Sequence, residues 1–304
     1  MMRVVDLFCG CGGLSLGFQN AGLEVVAAYD NWPAAAWVYG INFDHPIHTC
    51  DLSDEKKAAV NIGQYSPDMI IGGPPCQDFS SAGLRNEDNG RGNLTVSYAK
   101  IIGILKPEWF VMENVSTITK TKKLVEATGI FKDAGYGLTQ VVLNAALCGV
   151  PQKRKRFFMI GKLKEEDDFL KDSILSRLDT KEMSVRDYFG KKIDVEYYYR
   201  HPRSYARRGI FSIDEPSPTI RGVNRPVPSG YPIHHNDPVK SLEGIRPLST
   251  KERSMIQTFP ETFNFVGSKS EVEQMIGNAV PVNLGKFVAA AIMDYTDNNS
   301  TVLH

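Results

Sequence analysis

The sequence predicts an α/β protein with a mostly parallel sheet, joined to a smaller, irregular β-rich domain. Three observations support this prediction. Short apolar runs alternate with helical ones up to about residue 160, a glycine cluster follows the first run, and the alternation stops near residue 163. Strand–helix alternation implies parallel strands with helices on both faces of the sheet. A chain of 304 residues is long enough for about two domains.

The individual elements follow from apolar spacing and bounding residues. The predicted strands of the first part are Arg3–Phe8, Glu24–Tyr29, a short run ending at Asp51, Asp68–Ile71 and Trp109–Met112, and residues 136–147 and 156–162 can form a hairpin. Two predicted helices end at about Ala21 and at about Ile41. The others are predicted at Thr95–Leu105, Ser249–Thr258 and Val282–Tyr295. A mixed charge run at 162–172 predicts a solvated helical connector. Residues 181–247 are rich in Pro, Tyr and Arg and show no helical period.

Composition limits the function. Lys plus Arg number 35 and Asp plus Glu number 35, so the net charge is zero. This argues against a generic nucleic-acid coat protein but permits a local basic groove. No run approaches the roughly 18 apolar residues of a membrane span, and the N-terminus lacks the pattern of a signal peptide. Five cysteines, an odd number, indicate free thiols in a reducing compartment.

The first glycine turn predicts a nucleotide-type pocket. Residues 10–13 (GCGG) lie between a strand and a helix, where glycines allow backbone to approach a ligand closely. Asp30 ends the next strand and can accept hydrogen bonds from a ribose. Trp32 can stack on an adenine ring, and Asp51 can accept from an exocyclic amine. The alternative is a tight packing turn with incidental acids.

This turn is not a dinucleotide fingerprint. Ser15 occupies the place of the last glycine of G-x-G-x-x-G, which disfavours a nicotinamide enzyme. Cys9 and Cys11 have no further Cys or His cluster nearby, so we interpret them as packing residues and expect no metal.

A stiff loop after the strand Asp68–Ile71 carries a candidate nucleophile. Two prolines in residues 72–77 (GGPPCQ) hold Cys76 at a strand's carboxyl end, where open α/β sheets place their chemistry. Glu113 ends the next strand and should project beside this loop, where a carboxyl can protonate a ring nitrogen of a base. Strand alternation places Arg154 and Arg156 on one face, suited to phosphate or carbonyl oxygens. The alternatives are a buried cysteine, an ordinary strand-end acid and a solvated basic strand.

Together these segments resemble a known family. The chain resembles the DNA cytosine-5 methyltransferases of bacterial restriction–modification systems over nearly its whole length except roughly 165–215. The matching motifs, in chain order, are DLFCGCGGLSLGF at 6–18, GGPPCQDFSSAG at 72–83, ENV at 113–115, QKRKR at 152–156 and GNAVP at 277–281. Residues 246–259 resemble the segment that supports the family's recognition domain.

The resemblance implies a Rossmann-like S-adenosylmethionine-dependent methyltransferase domain, with S-adenosylhomocysteine as the product of the donor, plus a target-recognition domain. The implied cofactor residues are Phe8, Gly10, Gly13, Asp30, Trp32, Asp51, Leu52, Pro75, Leu94, Asn278 and Ala279. Two positions depart from the family pattern. Asp30 stands where Glu is usual, and Pro74 replaces the middle residue of the nucleophile loop.

The resemblance also implies covalent catalysis. Cys76 adds to C6 of a flipped-out cytosine, Glu113 hydrogen-bonds N3 and the amine, and Arg156 holds O2 while Arg154 fixes the base or a phosphate. The polar loop at 80–93 suits a lid.

Residues 181–225 suit DNA recognition. They contain ten Lys or Arg and six acids, with interleaved tyrosines, an excess of four positive charges in a neutral chain. The expected DNA contacts are Gln77, Ser80, Arg85, Arg207, Arg208, Thr219, Arg221 and Arg225.

We therefore expect a catalytic domain at 1–163 and 271–304, and a target-recognition domain at 164–270. We expect double-stranded DNA as partner, a cognate restriction endonuclease acting on the same site, a monomer, no membrane, and a bacterial cytoplasmic, nucleoid-associated location. Two alternatives stay open. One is a transfer-RNA methyltransferase of the same superfamily, which the basic insertion and the absence of a Cys-Phe-Thr signature disfavour. The other is a non-catalytic DNA-binding homologue, which the intact set Cys76, Glu113, Arg154 and Arg156 disfavours.

Overall fold

The computed structural model describes residues 1–75, 94–204 and 206–301, with side chains described as far as Asn298. Its strands are β1 (Arg3–Leu7), β2 (Glu24–Asp30), β3 (Ile47–Thr49), β4 (Met69–Gly72), β5 (Trp109–Val115), β6 (Tyr136–Asn144), β7 (Gln152–Lys153), β8 (Lys155–Leu163), β9 (Tyr197–Tyr199), β10 (Ile210–Ser212), β11 (Ser217–Pro218) and β12 (Arg246–Pro247). Its helices are α1 (Gly13–Gln19), α2 (Pro33–Gly40), α3 (Glu55–Gly63), α4 (Leu94–Leu105), α5 (Lys122–Asp133), α6 (Lys171–Ser176), α7 (Val185–Phe189), α8 (Thr250–Ile256), α9 (Lys269–Asn278) and α10 (Val282–Thr301).

The main sheet has seven strands in the order β3-β2-β1-β4-β5-β8-β6. The first five run parallel, and β8 is antiparallel to both of its neighbours. The predicted pairing of 136–147 with 156–162 is therefore confirmed. The strand order reverses between β1 and β4, and open α/β sheets bind ligands at the carboxyl ends of strands beside such a switch point.

Helices cover both faces of this sheet because its strands alternate their side chains between two apolar cores. On β1, Val4 faces one core and Val5 the other. The first core is closed by α1, α6 and α10, and the second by α3, α4 and α5. The predicted α/β class, with a mostly parallel sheet, is confirmed.

The C-terminal helix returns to pack beside the first helix, as predicted. The two backbones approach so closely that a Cβ on Gly17 of α1 would lie 2.5 Å from the carbonyl oxygen of Val282. The helical stretch 269–298 is long and apolar enough to cross a membrane by length and composition alone, but 67% of its apolar window is buried within the protein. Packing against α1 and the sheet accounts for that composition.

A second, smaller core lies outside the main sheet. It joins α7, β9, β10 and α8 to one face of α9, through Phe189, Tyr198, Phe211, Ile256 and Ile276. We call this part of the chain the recognition lobe. Its sheet is short: β9 pairs with β10 and β12 over three and two residues.

The predicted domain division stays a prediction, but packing connects the two parts of the chain near both of its boundaries. Leu170 and Ile174 are fully buried in the core of the main sheet, so α6 packs against that sheet. At the other end, residue 271 falls inside α9, which packs against the recognition lobe through Val272 and against the glycine turn through Met275.

The predicted helical connector at 162–172 is wrong. β8 continues to Leu163, turns follow, and helix begins only at Lys171. Lys164 and Asp168 have positive φ angles of 62° and 60°, a backbone conformation that interrupts a helix. The prediction of no helical period in 181–247 also missed α7, which a capping box of Ser184 and Asp187 begins.

Candidate functional site

A cavity of about 760 Å³ lies at the carboxyl ends of β1, β2, β4 and β5. This volume is within the usual range of small-molecule sites. Residues 8–11 and 13–14 line it after β1, residues 30–32 after β2, residues 73–75 after β4, and residues 113–115 from the end of β5. The far wall comes from α9 and the segment that follows it, residues 274–275 and 277–280. The cavity therefore joins segments that are up to 270 residues apart in sequence.

The glycine turn supplies an open backbone to this cavity. Gly10 and Gly12 have φ angles of 54° and 94°, which side chains rarely adopt, so glycine is required for the turn itself. Gly13 is required for a different reason. A Cβ there would lie 2.2 Å from the carbonyl oxygen of Val280 on the far wall. Both Gly10 and Gly13 line the cavity, as the sequence predicted.

Asp30 fixes the turn to the next strand. Its Oδ2 accepts from the backbone N–H of Gly10 at 2.8 Å, and its Oδ1 accepts from the N–H of Trp32 at 2.8 Å. Each carboxylate oxygen has a further lone pair, so the side chain can also accept from a ligand hydroxyl. Burial raises the pKa of Asp30, and these backbone donors pull it down.

A buried polar chain lies behind the glycine turn, and the sequence analysis did not identify it. Asp6 is fully buried and lines the cavity, and its Oδ2 accepts from the Ser15 hydroxyl at 2.5 Å. The Tyr39 hydroxyl donates to Ser15 at 2.8 Å and lies 2.7 Å from His45 Nε2. Burial raises the pKa of Asp6 to about 8. Among the described residues, none forms a hydrogen bond with the other oxygen, Oδ1.

Glu113 and Arg156 form the charged end of the cavity. Arg156 Nε donates to Glu113 Oε1 at 2.9 Å, and the two side chains are only 14% and 10% exposed respectively. Burial raises the pKa of Glu113, while Arg156 and then Arg154 oppose that rise. A carboxyl with a raised pKa can present a proton to a ring nitrogen near neutral pH.

The predicted nucleophile loop starts beside this pair. A Cβ on Gly73 would approach Glu113 Oε2 to 3.2 Å, so glycine lets the loop lie against the carboxyl. Asn114 Nδ2 donates to the Pro74 carbonyl at 2.8 Å and anchors the loop at that residue. Pro75 lines the cavity, and Cys76 follows it directly in the chain. Cys76 itself lies outside the described residues, as does the predicted lid at 80–93.

Arg154 is placed differently from the sequence prediction. It lines the cavity but is 1% exposed, and its guanidinium donates to three backbone carbonyls, those of Ile220, Gly277 and Ala279, each at 3.1 Å. These bonds connect the recognition lobe with the far wall of the cavity. These three bonds give Arg154 a positioning role, while its predicted contact with a base or phosphate stays a prediction.

A pair of buried glutamines strengthens the same connection. Gln152 accepts from the Ile220 N–H at 2.9 Å and donates to Gln257 at 2.7 Å. Gln257 in turn donates to the carbonyls of Ile276 and Ala279. We call Gln152, Arg154 and Gln257 the joint. Sequence reasoning missed Gln257, whose only signal was its place in the segment 246–259.

The remaining predicted cofactor residues divide into two groups. Phe8, Trp32, Leu94, Asn278 and Ala279 line the cavity together with the residues already described. Asp51 and Leu52 do not. Asp51 is exposed and accepts from the Ser53 N–H at 2.9 Å, and Leu52 is buried in the core on one face of the sheet. They follow β3, one strand farther from the switch point, although the Cys50 N–H donates to the Asp30 carbonyl at 3.2 Å and connects this segment to the end of β2.

The predicted DNA contacts differ in their exposure and in their bonding within the protein. Gln77, Ser80 and Arg85 lie outside the described residues. The Thr219 hydroxyl donates to the Lys153 carbonyl at 2.8 Å, and Arg208 pairs with Glu215 while lying over the Phe211 ring. These two side chains are used within the protein. Arg207 and Arg225 are exposed, and Arg221 is half-buried.

Comparisons with known proteins identify the family of this chain. The family model for C-5 cytosine-specific DNA methylases matches residues 2–294. The chain is 58% identical to the Type II methyltransferase M.HindV of Haemophilus influenzae, covering 97% of each chain, and 55% identical to M.HgiDI of Herpetosiphon aurantiacus, covering 97% of this chain and 95% of the relative.

Solved structures share the fold. A DNA modification methyltransferase from an Escherichia coli prophage superposes with a TM-score of 0.72 at 21% identity, covering 98% of this chain and all of that one. The Dnmt2 methyltransferase of S. pombe gives 0.73 at 16% identity, covering 97% and 99%. At these identities the likeness supports the fold alone, while the family model and the relatives identify the enzyme. The chain belongs to the family of C-5 cytosine-specific DNA methylases and is a DNA cytosine-5 methyltransferase.

Proposed function

We propose that this enzyme methylates C5 of a cytosine that is flipped out of a specific double-stranded DNA sequence, through a covalent Cys76 adduct. The observation that supports this most is the buried Glu113–Arg156 pair, 2.9 Å apart, beside the loop that leads into Cys76. A base inside a duplex cannot reach such a buried pair, so it must leave the stack, at a cost of a few kcal/mol.

Family membership implies S-adenosylmethionine as the methyl donor, and the cavity has the features that this donor needs. Gly13 lets the turn lie against the far wall, since a Cβ there would lie 2.2 Å from the Val280 carbonyl oxygen, and Asp30 retains acceptor capacity for ribose hydroxyls. Asp6 Oδ1 is a buried polar atom at the same cavity to which no described residue forms a hydrogen bond. Bound there, the donor supplies its methyl group as a sulfonium electrophile and leaves as S-adenosylhomocysteine. We retain Asp51 and Leu52, which follow β3, as proposed contacts of the donor's adenine.

The chain's own residues activate the base. The Cys76 thiolate forms a bond to C6, and the C5=C6 electron pair moves to form a C4=C5 bond. The C4=N3 pair moves to N3, which takes a proton from Glu113. C5 thereby gains the electron density that methylation requires. Arg156 Nε stays bonded to Glu113, and the rest of its guanidinium is proposed to hold the base O2.

The same residues complete the cycle. After C5 has accepted the methyl group, it loses its proton to water or hydroxide. The C5=C6 bond re-forms, the S–C6 bond breaks, Cys76 leaves as a thiolate, and the N3 proton returns to Glu113. We further propose that the product protects DNA from a cognate restriction endonuclease in the bacterial cytoplasm.

The test is covalent trapping. Duplex DNA with 5-fluorocytosine at the target cannot lose a C5 proton, so we expect the wild-type protein and S-adenosylmethionine to form an adduct that survives denaturation. Cys76→Ser should form none, and Glu113→Gln should slow methyl transfer by about 10²–10⁴-fold. Cys50→Ser, at a half-buried cysteine away from the cavity lining, is the matched control and should behave as wild type.

Two outcomes would contradict the proposal. One is full methylation by Cys76→Ser. The other is 5-methylcytosine found by nucleoside mass spectrometry only in transfer RNA and not in DNA assayed in parallel, which would favour the RNA-modifying alternative.

A further inference from the structure

Four arginines of the recognition lobe form a face without carboxylate partners. We call Arg200, Arg203, Arg221 and Arg225 the arginine face. Four other arginines of the lobe are paired with acids: Arg186 with Glu196 and Asp214, Arg208 with Glu215, Arg246 with Asp194 and Glu252, and Arg253 with Glu273. Within the part of the chain that the structure describes, no ion pair involves the four arginines of the face, and the same holds for Lys191 and Arg207. The arginine face therefore holds four of the six cations of 181–225 that have no acidic partner there.

These cations lie close to one another. Arg200 and Arg221 line one small cavity of the lobe together with His201. Burial, with smaller contributions from Arg221 and Arg203, lowers the pKa of Arg200 to about 10. The pKa of His201 is lowered by burial and then by Arg225, Arg221 and Arg200. Such mutual repulsion destabilises the protein alone and is relieved when an anion binds.

Two of the four are held in place and two are exposed. Arg200 Nη2 donates to the Thr219 carbonyl at 2.8 Å, and Arg221 donates to the His201 carbonyl. Both side chains are half-buried, whereas Arg203 and Arg225 are exposed. A guanidinium has five N–H donors, so each anchored arginine keeps donors for a second, planar partner.

The anchored pair lies next to the catalytic cavity. The carbonyl of Ile220, the residue before Arg221, accepts from Arg154, which lines that cavity. On the other side of Arg221, a Cβ on Gly277 would lie 2.2 Å from the Gly222 nitrogen, so the two segments are in direct contact. The arginine face thus begins one residue along the chain from a carbonyl that is bonded to a cavity-lining side chain.

Resting on the proposed DNA methylation, we propose that Arg200 and Arg221 read guanines in base pairs adjoining the methylated cytosine, while Arg203 and Arg225 hold nearby phosphates. Anchored, half-buried guanidiniums suit the bidentate bond to guanine O6 and N7, the commonest specific contact in the major groove. Exposed, unanchored arginines suit phosphates, which position the protein without reading sequence.

The experiment methylates a duplex library with randomised bases around a cytosine and sequences the 5-methylcytosine products. The wild-type motif should contain guanine in a base pair next to the target. Arg200→Lys and Arg221→Lys keep the charge but lose the planar fork, so each should reduce discrimination at one guanine by roughly 5- to 150-fold. Arg203→Ala and Arg225→Ala should weaken binding equally for all sequences and make the logarithmic salt slope shallower by about 1 each.

The control is Arg186→Gln, an exposed arginine of the same lobe whose charge is already paired, which should change neither motif nor salt slope. Thermal unfolding checks that each variant folds. A wild-type motif without guanine beside the target would overturn the proposal even if both lysine variants unfold. Unchanged motifs in folded lysine variants would overturn it as well. Absence of 5-methylcytosine with wild-type protein would instead refute the proposed function, and this inference with it.

Discussion

The buried carboxyl of Asp6 should make the stability of this protein fall as the pH rises through neutrality. Asp6 is fully buried, and burial raises its pKa from 3.8 to about 8, although the Ser15 hydroxyl opposes the rise. The unfolded chain loses this proton near pH 4, but the folded protein keeps it up to about pH 8. Between these values the unfolded state binds fewer protons, so the free energy of unfolding decreases with pH.

The size of the effect follows from the two pKa values. They differ by about four units, and each unit corresponds to about 1.4 kcal/mol, so the full loss between pH 4 and pH 8 is about 6 kcal/mol. That is a large part of the roughly 5–15 kcal/mol by which folded domains are stable. Below pH 4 this stabilisation is complete, and above pH 8 Asp6 contributes no further slope.

The assay compares wild type with Asp6→Asn in guanidinium chloride at pH 5, 6, 7 and 8, without donor. Asparagine has the shape of the neutral acid but does not titrate, so the variant should gain about 1.4 kcal/mol on wild type per pH unit. Asp133→Asn, at an exposed aspartate of α5, is the control and should follow wild type. A difference between Asp6→Asn and wild type that stays constant over this range would show that Asp6 is already ionised in the folded state, and the reasoning would fail.

Three further predictions test the cavity, the joint and the surface. Gly13→Ala places a Cβ 2.2 Å from the Val280 carbonyl oxygen and should weaken donor binding at least roughly 100-fold by calorimetry; unchanged affinity would contradict the close packing. Arg154→Lys cannot keep all three carbonyl bonds and should lower the unfolding free energy by about 3 kcal/mol in urea; a loss below about 1 kcal/mol would mean that the carbonyls find other donors. Lys132→Ala breaks an exposed ion pair with Asp167 and should cost under about 1 kcal/mol by the same measurement.

Much of the fold could be predicted because local sequence patterns determine its strands and turns. Apolar runs bounded by glycine gave the parallel strands, and the glycine turn located the switch point. Four helices, α3, α5, α7 and α9, were nevertheless missed, although each begins at a capping residue: Asp54, Thr121, Ser184 and Ser268. Polar caps are short signals, and they are easily overlooked where the apolar period is weak.

The sequence predicted those site residues whose position follows from their own strand or turn, but not the bonds between distant segments. Glu113 and Asp30 could be placed because strand ends of a parallel sheet meet at one edge. The bonds from Arg154 to residues 277 and 279 could not be placed, since they cross more than a hundred residues of sequence. The motif QKRKR at 152–156 indicates two arginines on one face, but not that Arg154 donates to three backbone carbonyls.

The joint connects the recognition lobe to the wall of the catalytic cavity through buried hydrogen bonds. Gln152 holds the N–H of Ile220 and Arg154 holds its carbonyl, so both polar backbone groups of one recognition-lobe residue are bonded to the catalytic domain. Gln257 and Arg154 both donate to the Ala279 carbonyl at the cofactor cavity. A displacement of the lobe must therefore break buried hydrogen bonds or move the cavity wall with it. Because Arg221 directly follows Ile220, the guanine contact that we propose for Arg221 would be held in a fixed position relative to Glu113 through the same bonds.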